Sequence, residues 1–134
     1  MMKRAALIWL FAALLPAACA RPDTQELFVR ADKAADGVYI FDFELEGNGS
    51  SYDFSIWGVS LDKDIYGEEL RVQWLSPSGS GFSETVFMKR ISPSGDRELY
   101  RSSVVPDAEG KWRISIRAVP GDELAGLGVI CRKH

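Results

Sequence analysis

Three carboxylates lie at alternate positions along one segment of the chain: Asp42, Glu44 and Glu46. Alternate residues of a strand share one face, and a glycosidase uses two carboxylates about 5 to 10 Å apart. One of the two must occupy an apolar pocket that raises its pKa, whereas three acids on an open strand face stay solvated. Basic residues of a later segment could pair with them, namely Lys111, Arg113 and Arg117. The pattern therefore favours ion pairing over hydrolysis.

A short acidic segment has part of a calcium-loop pattern, with carboxylates at Asp62 and Asp64 and a glycine at Gly67. The remaining positions do not fit, because Tyr66 stands in place of a third oxygen ligand and Gln73 in place of the closing glutamate. We interpret residues 62–69 as an acidic, solvated loop and expect no metal there.

The residues needed for nucleophilic catalysis or a tetrahedral metal site are scarce. The sequence holds one histidine, His134, and two cysteines, Cys19 and Cys131. A nucleophile needs an adjacent base, and a structural zinc site needs about four nitrogen or sulfur ligands. We therefore predict no enzymatic activity and no cofactor, and we interpret Cys131, which lies in an apolar run, as a small core residue.

Most aromatic residues follow the apolar phase of predicted strands, and two stand apart. Trp57 lies beside an interruption of that phase at Gly58, and Tyr66 lies in the acidic segment. Aromatic rings at such places could stack against a sugar ring or a partner chain. The predicted binding surface therefore comprises Trp57, Asp62, Asp64, Tyr66 and Glu68.

The N-terminus has the form of an export signal. Lys3 and Arg4 precede an apolar run over residues 5–15, which is too short for a membrane span, and small residues surround Cys19. Cleavage after Ala18 would make Cys19 the new N-terminus, where its thiol could carry a lipid anchor. Cleavage after Ala20 would instead release a soluble periplasmic or secreted protein. The net charge of −3 argues against a nucleic-acid partner.

The rest of the chain alternates like short antiparallel strands. Residues 38–46 and 52–56 alternate apolar with polar side chains around a Gly-Asn-Gly-Ser turn, which predicts a hairpin. Further strands follow at intervals of about ten residues, separated by Pro/Gly turns. We predict an all-β antiparallel sandwich of seven to eight strands. Its predicted divisions are a signal peptide over 1–18, a tether with a first edge segment over 19–36, and the sandwich over 37–134.

Several of these strands and turns together resemble the gliding-motility-associated lipoproteins of Bacteroidota and their gut relatives. The segments that carry the resemblance are residues 39–44, 52–56, 70–72, 76–79, 110–116 and 124–129. The resemblance implies an outer-envelope lipoprotein of β-sandwich type without a known reaction. We therefore expect a non-enzymatic lipoprotein, anchored to the membrane through Cys19, that binds a protein partner in an envelope assembly. The alternative is a surface glycan binder similar to a carbohydrate-binding module.

Overall fold

The structure, a computed structural model, describes residues 23–134 and confirms the all-β prediction. Two four-stranded antiparallel sheets pack as a sandwich. Sheet A has the order β1-β8-β3-β6, and sheet B has the order β2-β7-β4-β5. The eight strands are β1 Thr24–Arg30, β2 Val38–Leu45, β3 Tyr52–Ser60, β4 Ile65–Leu75, β5 Gly81–Ile91, β6 Arg97–Val104, β7 Gly110–Val119 and β8 Leu124–Lys133.

The predicted hairpin of β2 with β3 is wrong, because the two strands belong to different sheets. β2 pairs with β7, whereas β3 lies between β8 and β6. Their apolar faces instead meet across the core, where the rings of Phe43 and Phe54 make an edge contact at 5.9 Å. Alternation reports which face of a strand is buried, and it does so equally for a hairpin and for two strands in opposing sheets.

The core is formed by the inward side chains of both sheets. Fully buried members include Phe41, Phe54, Leu70, Ile116 and Val129. Cys131 is also buried, as its apolar setting predicted, and burial raises the pKa of its thiol to about 12. Cys131 is therefore an unreactive thiol at neutral pH.

The edge segment predicted within residues 19–36 is an integral strand of the sandwich. β1 pairs along its whole length with β8. The Gln25 amide also links the two sheets, since its Nε2 donates to the Glu44 carbonyl at 3.0 Å and its Oε1 accepts the Glu44 N–H at 3.4 Å. The predicted signal peptide and Cys19 lie outside the described residues.

Candidate functional site

Trp57, the first residue of the predicted binding surface, lies on the outer face of sheet A in a stack of side chains. Its ring is parallel to that of Phe28, with centroids 4.8 Å apart and planes 13° apart. The guanidinium carbon of Arg97 lies 5.1 Å from the Trp57 ring centroid, and Arg97 also pairs with Glu26 at 2.6 Å. Trp57 is only half-exposed, and its ring is already engaged by these neighbours.

The acidic loop predicted over residues 62–69 is shorter in the structure. β4 begins at Ile65, so Tyr66 and Glu68 belong to a strand of sheet B. Tyr66 is exposed and its hydroxyl donates to Asp64 at 3.3 Å, while Asp62 lies exposed in the loop. The structure thus brings Asp64 and Tyr66 together, and no ring contact joins Tyr66 to Trp57 among the described residues.

Glu68 is buried against the turn between β7 and β8. One of its carboxylate oxygens accepts the Gly121 N–H at 3.1 Å. Burial raises the pKa of Glu68, the Gly121 hydrogen bond opposes that rise, and the nearby charges of Asp122 and Glu123 add to it. Glu68 is therefore a structural carboxylate under the turn rather than an open binding group.

We expect Glu68→Gln to raise the melting temperature by a few degrees at pH 7, because the amide can still accept the Gly121 hydrogen bond without carrying a buried charge. A folded-state pKa above the unfolded one means that the ionised carboxyl destabilises the fold at neutral pH. That penalty disappears below the unfolded pKa, so the gain vanishes near pH 3.5. Thermal unfolding at both pH values measures the effect. Glu44→Gln, at an exposed position, is the control for surface charge, and a lower melting temperature of Glu68→Gln at pH 7 would contradict the assignment.

Two of the three alternate carboxylates, Asp42 of β2 and Glu46 just after it, are held in ion pairs. Arg113 donates to both oxygens of Asp42, at 2.9 and 3.2 Å, and Lys111 lies 3.6 Å from it. Lys133 contacts Glu46 at 2.9 Å. The pKa values of Asp42 and Glu46 are lowered mainly by the hydrogen bonds that Arg113 and Lys133, respectively, donate to them. Neither of these two acids has the raised pKa of a catalytic acid.

A cavity of about 390 Å³ opens at one end of the sandwich, and we call it the end cavity. Side chains from β2, β4, β5, β6, β7 and the β6–β7 loop line it. Its lining includes Leu45, Trp74, Phe82, Arg101, Val105, Pro106, Asp107 and Trp112. A largely apolar wall with a few charged groups is typical of a small-molecule site, and the volume lies within the usual range of about 300 to 1,000 Å³.

Aromatic rings form much of the end-cavity wall. Trp74 is buried and stacks on Phe82, with centroids 5.9 Å apart and planes 11° apart. Trp112 meets Trp74 edge-on at 6.4 Å, and its indole N–H donates to the Ala108 carbonyl at 2.9 Å. Trp112 is half-buried, whereas Phe82 is 46% exposed. Phe82 is therefore the most exposed aromatic ring of the end cavity, and Trp74 supports it.

A hydrogen-bonded network fixes the charged side of the end cavity. The Trp74 indole N–H donates to the Tyr100 hydroxyl at 2.9 Å, and both Tyr100 and Arg101 donate to Glu84. Burial and the Glu84 carboxylate raise the pKa of Tyr100 to about 12. Burial alone would raise the pKa of Glu84, but the bonds from Arg101 and Tyr100 lower it. Arg101 also lies over the Phe82 ring, with its guanidinium carbon 5.0 Å from the centroid.

No sequence pattern predicted the residues of the end cavity. Phe82 lies in the inward phase of β5, opposite Trp74, so alternation alone does not distinguish it from a core residue. Phe82 is exposed because it lies at the end of the sandwich, and only the tertiary structure defines that end. The sequence feature that could have indicated the cavity is the Ser-Pro-Ser-Gly turn before Phe82. This turn lies at the cavity edge, where the hydroxyls of Ser76 and Ser80 are 2.9 Å apart.

Residues 23–134 contain neither a cluster of metal-binding side chains nor a helix that could span a membrane. No three histidine, cysteine, aspartate or glutamate side chains there are placed to share a metal ion. The same part of the chain has no helix of the length and apolarity required to cross a membrane.

Comparison with known proteins gives similarities of fold only. No protein-family model and no curated protein matches the sequence. A solved carbohydrate-binding module of family 4 is 14% identical over 86% of this chain and 74% of its own, with a TM-score of 0.43. A family-61 module solved with β-1,4-galactotriose is 14% identical over 81% of both chains, with a TM-score of 0.36. At these identities and TM-scores the similarities carry no argument about the ligand of this chain.

Proposed function

We propose that the chain is a non-catalytic glycan-binding module whose end cavity holds a sugar ring. The observation that carries this proposal is the mixed wall of that cavity. Phe82 and Val105 are 46% and 58% exposed, and they share the cavity with the charged side chains of Arg101 and Asp107. A sugar ring presents C–H groups that pack on an aromatic face and hydroxyls that hydrogen-bond polar groups.

The carboxylates of the end cavity favour binding over hydrolysis. Asp107 is the one carboxylate residue among the described residues that line it. Glycoside hydrolysis by the usual route needs two carboxyl groups on either side of the scissile bond. Glu84 lies behind the wall, where Arg101 and Tyr100 hold it as an ionised acceptor. A single exposed aspartate can accept hydrogen bonds from sugar hydroxyls without acting as both acid and base.

Affinity electrophoresis through gels that contain β-1,4-galactan, mixed-linkage β-glucan or xylan tests this proposal. We expect at least one of these polysaccharides to retard the protein, and Phe82→Ala to weaken that retardation about tenfold, since an aromatic anchor contributes about 1.4 kcal/mol or more. Phe87→Ala is the matched control, because Phe87 is an exposed residue of the same strand outside the cavity.

Asp107→Asn tests the same cavity without touching the Trp74 stack, and we expect it also to weaken retardation. Circular dichroism shows whether Phe82→Ala remains folded. The proposal fails if none of the three polysaccharides retards the protein, or if Phe82→Ala and Phe87→Ala behave alike.

Binding of a protein partner is the second candidate function. The observation that favours it is a pair of apolar side chains, Phe87 on β5 and Leu99 on β6, each 64% exposed. Both line a cavity of about 280 Å³ between these edge strands. Exposed apolar groups at adjacent edge strands are typical of interaction sites. For this function Phe82→Ala is the control. Phe87→Ala should abolish binding of the partner, and Phe82→Ala should not.

We propose further that Cys19 carries a lipid and anchors the module in the cell envelope. The support is the basic pair, apolar run and small residues before that cysteine. Expression of the full-length chain in a bacterium should yield a mature mass with a diacylglyceryl-cysteine that Cys19→Ala abolishes. A soluble product that begins at Arg21 would overturn the anchor and leave the two binding hypotheses intact.

A further inference from the structure

A second groove crosses the outer face of sheet B, on the opposite side of that sheet from the core. It has a volume of about 440 Å³ and is lined by residues of all four strands. Arg71 and Arg117 lie directly opposite one another in the central strands β4 and β7. We call this surface the arginine groove. It is separate from the end cavity, because Phe82 and Ser83 are consecutive in β5 and therefore point to opposite faces.

The two arginines form a cross-strand pair of like charge, which is unfavourable for folding by itself. Arg71 is compensated by Glu69 on its own strand, with Nε and Oε2 2.9 Å apart. Arg117 donates to a neutral acceptor, the Asp36 carbonyl, at 3.3 Å. No ion pair in the described part of the chain places a carboxylate against Arg117. The groove thus keeps a positive charge in a protein whose net charge is −3.

The acidic residue of the groove does not cancel this charge. Glu84 contributes to the lining, but Arg101 and Tyr100 bind its carboxylate from the other side of the strand. Two rows further along the sheet, by contrast, Arg113 is paired with Asp42 through two hydrogen bonds. Arg113 on the same face is therefore neutralised, and Arg117 is not.

Neutral hydrogen-bonding groups surround the arginine pair. Gln73 lies between Ser115 and Ser83 in the next row, and Thr85 lies opposite Arg71. In the described structure none of these four side chains hydrogen-bonds another group of the protein. They are free to meet the hydroxyls of a ligand, while the guanidinium forks match the two oxygens of an oxyanion.

We propose that the arginine groove binds an acidic polysaccharide through its carboxylate or sulfate groups. A groove that crosses four strands suits an extended chain, and the neutral groups beside the arginines suit the hydroxyls of a saccharide. Aromatic rings, on which single-stranded nucleic acids stack, are absent from the described lining. The groove does not depend on the end cavity, so either site can exist without the other.

Biolayer interferometry of the full-length protein on immobilised polygalacturonate, dextran sulfate, polyphosphate and neutral dextran tests the proposal at physiological ionic strength. We expect tight binding to polygalacturonate or dextran sulfate, according to whether carboxylate or sulfate is the preferred group. Arg117→Gln and Arg71→Gln should each weaken it at least tenfold, since charge-assisted hydrogen bonds contribute strongly in such pairs. Arg117→Lys, which keeps the charge and loses the fork, should restore only part of the affinity.

Arg132→Gln is the matched control, because Arg132 is an exposed arginine on sheet A and its loss changes the net charge equally. We expect its affinity to stay within twofold of the wild type. Equal losses in Arg132→Gln and Arg117→Gln, or equally tight binding to polyphosphate, would mean unspecific attraction to polyanions and would overturn the proposal. Binding to none of the charged polymers would overturn it as well. Phe82→Ala should leave this binding unchanged, which separates it from the end cavity.

Discussion

Replacement of Phe54 by alanine is expected to lower the free energy of unfolding by about 3 to 5 kcal/mol. Phe54 in β3 is wholly buried, and its ring meets those of Phe43 and Trp74 edge-on at 5.9 and 4.9 Å. These three residues come from strands of both sheets, so the substitution leaves a cavity at the place where the sheets join. A domain of this size has about 5 to 15 kcal/mol of total stability, so the loss is a large share of it.

Urea denaturation of wild type and Phe54→Ala measures this loss, and similar slopes in the two curves would show that both unfold the same amount of structure. Phe87→Ala removes the same number of atoms from an exposed ring and should change stability by less than about 0.5 kcal/mol. A Phe54→Ala loss below about 1 kcal/mol would be incompatible with the position of this ring in the core.

Replacement of Gly128 by alanine is expected to cost about 1 to 3 kcal/mol through overpacking. Gly128 in β8 lies between Phe28 of β1 and Trp57 of β3 in sheet A. The Trp57 ring lies over it, so a methyl group at Gly128 would overlap the indole. The indole has little room to move, because Phe28 stacks against it and Gly95 lies beside its edge. A β-carbon added at Gly95 would be only 3.0 Å from the indole.

A double-mutant cycle isolates this overlap from any intrinsic effect of alanine in a strand. In a Trp57→Ala background the methyl group meets no indole, so we expect Gly128→Ala to cost less than about 0.5 kcal/mol there. The free energies of unfolding of the four proteins, from urea denaturation, give the coupling. Equal costs in the two backgrounds would show that the Trp57 ring does not cover Gly128.

These two predictions concern opposite sides of sheet A, and together they describe what Trp57 does. Phe54 and Trp57 are three residues apart in β3, so Phe54 faces the core and Trp57 the outer surface. The core ring joins the sheets, while the outer ring covers a glycine of the neighbouring strand. Trp57 therefore contributes to packing on sheet A, and the accessible aromatic ring of the proposed glycan site is Phe82.

The two proposed binding surfaces offer different kinds of contact to a ligand. The end cavity supplies aromatic and aliphatic contacts beside Asp107 and Arg101, whereas the arginine groove supplies charge beside neutral hydroxyl and amide groups. A neutral saccharide would favour the first surface, and an acidic one the second. Variants at Phe82 and Arg117 therefore distinguish the two modes of binding in one set of measurements.

The sequence by itself determined which face of most strands is buried. Tyr39, Phe41 and Phe43 alternate with Ile40, Asp42 and Glu44, and the structure buries the first three and leaves the others at least partly exposed. This information is local, because consecutive side chains of a strand point to opposite sides whatever the strand pairs with. The same locality allowed Cys131 to be assigned to the core.

Tertiary structure alone decided which strands are neighbours and which surfaces are open. Val38–Leu45 and Tyr52–Ser60 have the pattern of a hairpin yet lie in opposing sheets, since alternation carries no information about the partner of a strand. The end cavity brings together Leu45, Trp74, Phe82 and Trp112 from four strands, of which only β4 and β5 are consecutive in the chain. The arginine pair likewise depends on the register of β4 with β7. Both surfaces depend on how separate segments of the chain are arranged in space, and a local pattern of residue types does not predict that arrangement.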